Sequence, residues 1–168
     1  MAYDNRYRNG YGSGQQGNGR ARGPAQQDSR PYYPPAQPRP IEAKSIPVDY
    51  VDEAERVMNS LKADGNGRIQ VTTTKMRGFL TLVTDIYNRE NLRTEADLSS
   101  ESALKLMRLR VRIVYDAGRE YDVRRFVEKA QLLEYIKGIG NSRAEMIRFS
   151  HYMEALVAYH RFLGGKEK

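Results

Sequence analysis

The sequence predicts an all-α protein: a compact bundle of about five helices preceded by a disordered N-terminal arm. Two observations carry this reading. Composition changes abruptly near residue 45, and beyond that point apolar residues recur at helical spacing between capping and stopping residues. Residues 1–40 hold six of the seven prolines, six of the fourteen glycines and five of the twelve tyrosines, with no Leu, Ile, Val, Phe or Lys. Such a segment has too little apolar surface to offset the entropy of ordering it. The expected organisation is an arm over 1–45 and a helical domain over 46–168, an ordinary size for one core.

A first helix is expected within PVDYVDEAERVMNSLKADGNG. Asp49 offers a cap, acids crowd the first turn, and Val51, Ala54, Val57, Met58 and Leu61 form an apolar face. A second is expected in TTTKMRGFLTLVTDIYNRE, with Met76, Phe79, Leu80, Val83, Ile86 and Tyr87 at core spacing. The third covers LKLMRLRVRIVYDAGR (Leu104 to Arg119), capped near Asp97 to Ser100 and stopped at Gly118. Met107 to Ile113 also alternates apolar and Arg residues as a strand would. RIQVTTT, before the second helix, has some strand character, so a short hairpin with 107–113 is the alternative. A strand explains only seven residues and has no dependable partner, so the helix is preferred. In that helix Leu104, Met107, Val111 and Val114 form one apolar ridge, and Leu106, Leu109 and Ile113 another. A fourth helix covers YDVRRFVEKAQLLEYIKG, ending at Gly138. A fifth covers SRAEMIRFSHYMEALVAYHRFL, apolar around so much of its circumference that it belongs in the centre.

The net charge of +7 divides into +4 on the arm and +3 on the rest, with a pI near 9.6. That balance favours polyanionic partners, nucleic acid first. The absence of cysteine excludes disulfides and thiolate chemistry. No run approaches membrane-spanning length and no signal-peptide core opens the chain, so the expectation is a soluble, cytoplasmic protein without membrane partners. In the arm, Arg and Tyr spaced by Gly suit either a solubilising tail or a segment that stacks on bases and touches phosphates.

Catalytic chemistry finds little support. His151 and His160 stand nine apart without an HExxH pattern or a cysteine partner, so no metal ligand set forms. A small helical ribonuclease would want Arg and His four to six residues apart. Arg143 and Arg148 are eight and three residues from His151. Carboxylates cluster at helix starts, where they offset the macrodipole. No phosphate loop or dinucleotide fingerprint is present, so no cofactor is expected. LLEYIKGIGNSRAEMI has the outline of a DNA-binding helix-hairpin-helix. The same residues are also explained by Gly138 ending one helix, Ile139 filling the core, and Asn141 or Ser142 capping the next.

The basic clusters are more informative. Ser102 to Tyr115 contains four cations and no acid, and Arg68 to Thr84 contains Arg68, Lys75 and Arg77 without an acid. Solvated helix faces ordinarily mix signs. Lys75 also falls in a first turn, where it opposes the macrodipole unless an anion is bound. At helical spacing Lys105, Arg108, Arg112 and Arg119 share one stripe, with Arg110 off it as a subunit contact or a buried pair. The expectation is a ridge that tracks phosphates without reading bases.

TTTKMRGF (Thr72 to Phe79), LKLMRLRVRIVYDAGR with its Tyr-x-x-Gly-Arg ending, and MEALVAYHRFLGGK occur in that order. Together they resemble the small subunit of type III-A CRISPR effector complexes, the Csm family, over about residues 46–168. The resemblance implies a helical, non-catalytic protein of antiviral defence. Several copies would stack along the backbone and large subunits beside the guide RNA and its target RNA. It places a Ser/Thr-Lys-x-Arg motif on Thr74, Lys75 and Arg77 and the Tyr-x-x-Gly-Arg motif on Tyr115, Gly118 and Arg119. These positions, with Lys105, Arg108 and Arg112 from the stripe, are the expected RNA-backbone contacts. Glu154 to Tyr159 is implied to be core or subunit contact. The Arg/Gly/Tyr-rich arm departs from the family pattern.

Overall fold

The computed structural model describes residues 40–167; of the expected arm, residues 1–39 lie outside them. Six α-helices make up the described part: α1 (Tyr50–Asp64), α2 (Thr73–Glu90), α3 (Ser100–Arg119), α4 (Tyr121–Lys129), α5 (Leu132–Ile139) and α6 (Arg143–Phe162). No strand is present among the described residues, and both segments of the alternative hairpin read otherwise. Met107 to Ile113 is helical, and residues 68–72 are irregular chain.

Helix α6 is the centre, as its sequence predicts. Met146, Phe149, Tyr152, Met153 and Leu156 are fully buried, and α1, α2 and α5 all pack against it. Helix α3 lies beyond α2, and α4 closes the bundle by packing on both α3 and α1.

The expected fourth helix is two helices. It breaks at Ala130 and Gln131, where Gln131 takes a left-handed backbone (φ 50°). Tyr152 Oη donates to the carbonyl of Ala130 (3.1 Å), satisfying a group the break would otherwise orphan in the core. The Tyr152 ring meets Tyr135 of α5 edge-on at 5.4 Å. No Gly or Pro marks this turn, because the stabilising hydroxyl comes from another helix.

Two glycines differ from their expected roles. Gly118 lies inside α3, which runs to Arg119, and a Cβ there would meet nothing. Gly138 lies inside α5, where it admits the backbone of residues 41–46. A Cβ there would stand 1.9 Å from the Lys44 carbonyl oxygen. Lys44 N–H donates to the Glu134 carbonyl (3.1 Å), Lys137 Nζ donates to the Ile41 carbonyl (2.7 Å), and Ile46 is buried. Asp49 stands at the N-cap of α1, but its carboxylate pairs with Arg56 (3.3 Å) instead of capping. Thr72, Ser99 and Ser142 do cap α2, α3 and α6 with their hydroxyls.

The α2–α3 connection is pinned by the buried carboxylate of Glu90. Ser99, while capping α3, donates its hydroxyl to Glu90 Oε1 (2.8 Å), and Arg93 Nη1 approaches to 3.0 Å. Burial alone would raise this carboxyl's pKa. The adjoining Ser102 hydroxyl, which stands short of full hydrogen-bond geometry, together with Ser99 and the Arg93 charge, holds it below the usual value instead.

At the other end of α2, His160 is buried and reaches the carbonyl of Val71 through Nε2 (2.8 Å). Its Nδ1 lies 3.4 Å from Thr73 Oγ1. The chain after α6 folds back here, and the Lys166 carbonyl accepts from Thr73 N–H (2.8 Å). Burial depresses the His160 pKa, outweighing the Val71 hydrogen bond, and the Arg161 charge adds to the depression.

Two predictions follow from this packing. Gly138→Ala should destabilise by about 1–2 kcal/mol despite the helix-propensity gain, because residue 44 must move. Gly118→Ala, in open space, should stabilise by about 0.5–1 kcal/mol; urea unfolding of both variants checks the pair. For His160, the unfolded state takes up a proton below about pH 6.5 that the folded state resists. Its contribution is therefore complete above that pH and declines as the solution is acidified towards the folded pKa. The wild-type urea midpoint should fall between about pH 7.5 and pH 5.5, and His160→Asn should flatten that fall. Glu90, whose depressed pKa starts from 4.5, acts only at lower pH.

Candidate nucleic-acid interface

Helices α2 and α3 run antiparallel, and their register is visible in three ion pairs between them. Lys75 Nζ meets Glu120 Oε1 just past the end of α3 (2.5 Å), Asp85 meets Lys105 (2.7 Å), and Arg89 meets Glu101 (2.7 Å). The expected basic ridge therefore lies along a laced seam, and several of its cations are paired.

Lys75 sits in the first turn of α2 with Glu120 at 2.5 Å and the buried Asp116 at 3.8 Å. Those carboxylates supply the negative charge that its position calls for. Arg112 Nε donates to Asp116 Oδ2 (2.8 Å), and this pair, chiefly its hydrogen bond, raises the Arg112 pKa. Lys105 adds Glu101 (3.4 Å) to Asp85, and the Asp85 hydrogen bond is the main cause of its raised pKa. Arg119 Nη1 donates to Tyr115 Oη (3.0 Å), and its guanidinium lies 5.3 Å from that ring's centroid. Arg108 is exposed and has no ion pair among the described residues. The pairs with the exposed Asp85, Glu101 and Glu120 are individually weak, about 0–1 kcal/mol, whereas those with the buried Asp116 hold Arg112 and Lys75 in place.

On α3 the stripe forms as expected: Lys105, Arg108, Arg112 and Arg119 fall within roughly 60° of one another around the axis. Arg77 does not join it. Two residues beyond Lys75, it projects roughly 200° away around α2, exposed and without an ion pair among the described residues. Arg110 is exposed on the other flank of α3, not in a buried pair. Asp85 and Glu101 stand immediately beyond the two acid-free stretches and Glu120 just past the helix, so the acids that answer the ridge are not apparent within those stretches. Asp116 had a local signal, its i, i+4 spacing from Arg112.

The other outlined sites are occupied by structural bonds. In the Gly-Ile-Gly hairpin, Arg143 N–H donates to the Ala96 carbonyl (2.9 Å) and Glu145 N–H to the Ser142 hydroxyl (3.3 Å). Those amides serve the fold, and Gly138 is covered by Lys44. Arg143, Arg148 and His151 do line one shallow cleft with Tyr50. There Arg143 donates to the carbonyls of Glu95 and Glu90, and Arg148 to Glu145. The His151 ring stands 6.2 Å from Tyr50 and 5.6 Å from Tyr87. Among the described residues no helix is long and apolar enough to cross a membrane.

Comparison with known proteins identifies a family for most of the described chain. A family model described as Csm2 Type III-A matches residues 48–166. A Streptococcus thermophilus protein named CRISPR system Cms protein Csm2 is 43% identical over 119 residues, covering 71% of this chain and 94% of the relative. The Mycobacterium tuberculosis H37Rv protein of the same name is 42% identical over 123 residues, covering 73% and 98%. One from Enterococcus italicus is 31% identical over 120 residues, covering 67% and 82%. With its family motifs carried on α2, α3 and α6, this chain belongs to the type III-A Csm2 family of CRISPR systems.

Proposed function

We propose that the protein is a non-catalytic, RNA-binding small subunit of a type III-A CRISPR ribonucleoprotein. It holds the guide RNA and its paired target RNA by charge and shape, while base pairing supplies sequence specificity. Backbone and large subunits of the complex, and further copies of this chain, are its protein partners in antiviral defence in the cytoplasm. The supporting observation is the α3 stripe: Lys105 to Arg119 spans roughly 21 Å of helix with four cations on one side. Among the described residues Arg108 is unpaired at its middle, Arg119 contacts Tyr115, and Lys105 and Arg112 are oriented by carboxylates. Lys75 extends the stripe across the seam, and Arg77 contributes from the far flank of α2.

RNA association of the full chain, measured against salt concentration, tests this reading. Arg108→Glu with Arg119→Glu should weaken association with any RNA sequence to a similar degree. The double change should also lower the salt slope by about 0.7 for each lost phosphate contact on single strands. These are cleaner targets than Arg112, which also neutralises the buried Asp116. RNA association left intact would reject the stripe. A purification from the native host that recovers neither guide RNA nor backbone subunit would reject the subunit assignment.

A further inference from the structure

A second group of chemistry-bearing side chains lies away from the α2–α3 seam. Arg143, Ile147, Arg148 and His151, on one face of α6, border a cleft of about 500 Å³. Tyr50 at the start of α1 and Thr94 in the α2–α3 connection border it as well. That volume is of the size that takes a small organic ligand. No cation of the α3 stripe lines it, so the cleft is independent of that surface.

The cations of the cleft are held in place, and one of them is not neutralised. Arg143 donates through Nε to the Glu95 carbonyl (2.8 Å) and through Nη1 to the Glu90 carbonyl (3.3 Å). Among the described residues it meets no carboxylate at ion-pair distance, and its Nη2 has no hydrogen bond. The two acids nearby are already answered, Glu95 by Arg93 (3.3 Å) and Glu145 by Arg148 (2.5 Å). These five groups leave one positive charge over, on a guanidinium whose plane is fixed and which keeps a free donor. Such a group suits a phosphate oxygen.

Further along α6 the cleft is aromatic. The His151 ring stands 6.2 Å from Tyr50 and 5.6 Å from Tyr87, and Ile147 adds an apolar wall. Both ring nitrogens of His151 and the hydroxyls of Tyr50 and Tyr87 have no hydrogen bond among the described residues. The rings offer stacking surface, and their polar tips offer donors and acceptors to the edge of a base. Arg143 and His151 stand roughly 12 Å apart along the helix axis, so one molecule with an anion at one end and a flat ring at the other can meet both. Among the described residues no carboxylate orients the His151 ring, so the arrangement suits binding and not cleavage.

We propose that this cleft binds a nucleotide, its phosphate on Arg143 with Arg148 beside it, and its base against Tyr50, Ile147 and His151. The ligand is a free nucleoside monophosphate or one nucleotide of an RNA strand, which share this chemistry. The site goes beyond the α3 stripe, which meets backbone charge alone, and needs none of its residues.

Proton NMR of the full chain, which has only two histidines, tests the proposal together with calorimetry. AMP should shift the His151 ring resonances and leave those of the buried His160 in place. It should bind at least about fivefold more tightly than inorganic phosphate or adenosine, since each of these fills one end only. Arg148→Gln and His151→Leu, at half-buried positions outside the core, should each weaken AMP at least about fivefold with unchanged circular dichroism. Arg108→Glu with Arg119→Glu should bind AMP as the wild type does, which separates failure of this site from failure of the stripe. In that background, an RNA tetranucleotide that binds more tightly than AMP assigns the cleft to a strand. Equal or weaker binding assigns it to the free nucleotide, and both outcomes support the site. Four results would overturn it: no His151 shift up to about 10 mM AMP, phosphate binding as tightly as AMP, full AMP affinity in both cleft variants, or preference for a short Glu-Tyr peptide over AMP.

Discussion

The rest of the structure depends on the burial of α6 around most of its circumference. A helix with apolar residues on one stripe needs one neighbour; α6 needs several. Helices α1, α2 and α5 meet that need, and α3 and α4 are positioned through them. Tyr152 shows how far the dependence reaches. Its ring fills the core against Tyr135, while its hydroxyl satisfies the carbonyl exposed where the fourth predicted helix divides. The break between α4 and α5 is thus decided by a side chain about twenty positions further along the chain.

Charge is arranged with similar economy around Asp116. This carboxylate is buried at the end of α3 and meets both Arg112 and Lys75. A buried acid without such partners would be strongly unfavourable, so two members of the basic stripe are held in place by the fold itself. Lys105 is held in the same way by Asp85 and Glu101. The stripe therefore has two populations: cations oriented by carboxylates, which define a rigid edge, and free arginines, which supply unneutralised positive potential. Such an edge presents its charge from side chains already held in place.

On α3, three faces of different chemistry are separated by angle alone. Leu106, Leu109 and Ile113 join the core, the cations line one flank, and Leu104, Met107, Val111 and Val114 face solvent. A period-two alternation of apolar and Arg residues produces this division once it is wound at 3.6 residues per turn. The same pattern that suggests a strand gives one helix a core face, a charged ridge and an exposed apolar face.

Helix existence, the central place of α6, the region of the caps of α3 and α6, and the common stripe of Lys105, Arg108, Arg112 and Arg119 were determined by the sequence itself. Each depends on neighbours within a few positions: a hydroxyl three residues from an amide, or side chains repeating every third and fourth residue. The tertiary structure decided what depends on groups distant in the chain. It paired Lys75 with Glu120, turned Arg77 away from the stripe, and laid residue 44 against Gly138. It also chose which of two equally apolar ridges on α3 was buried. Periodicity identifies a face, but only the packing of other helices decides whether that face is covered.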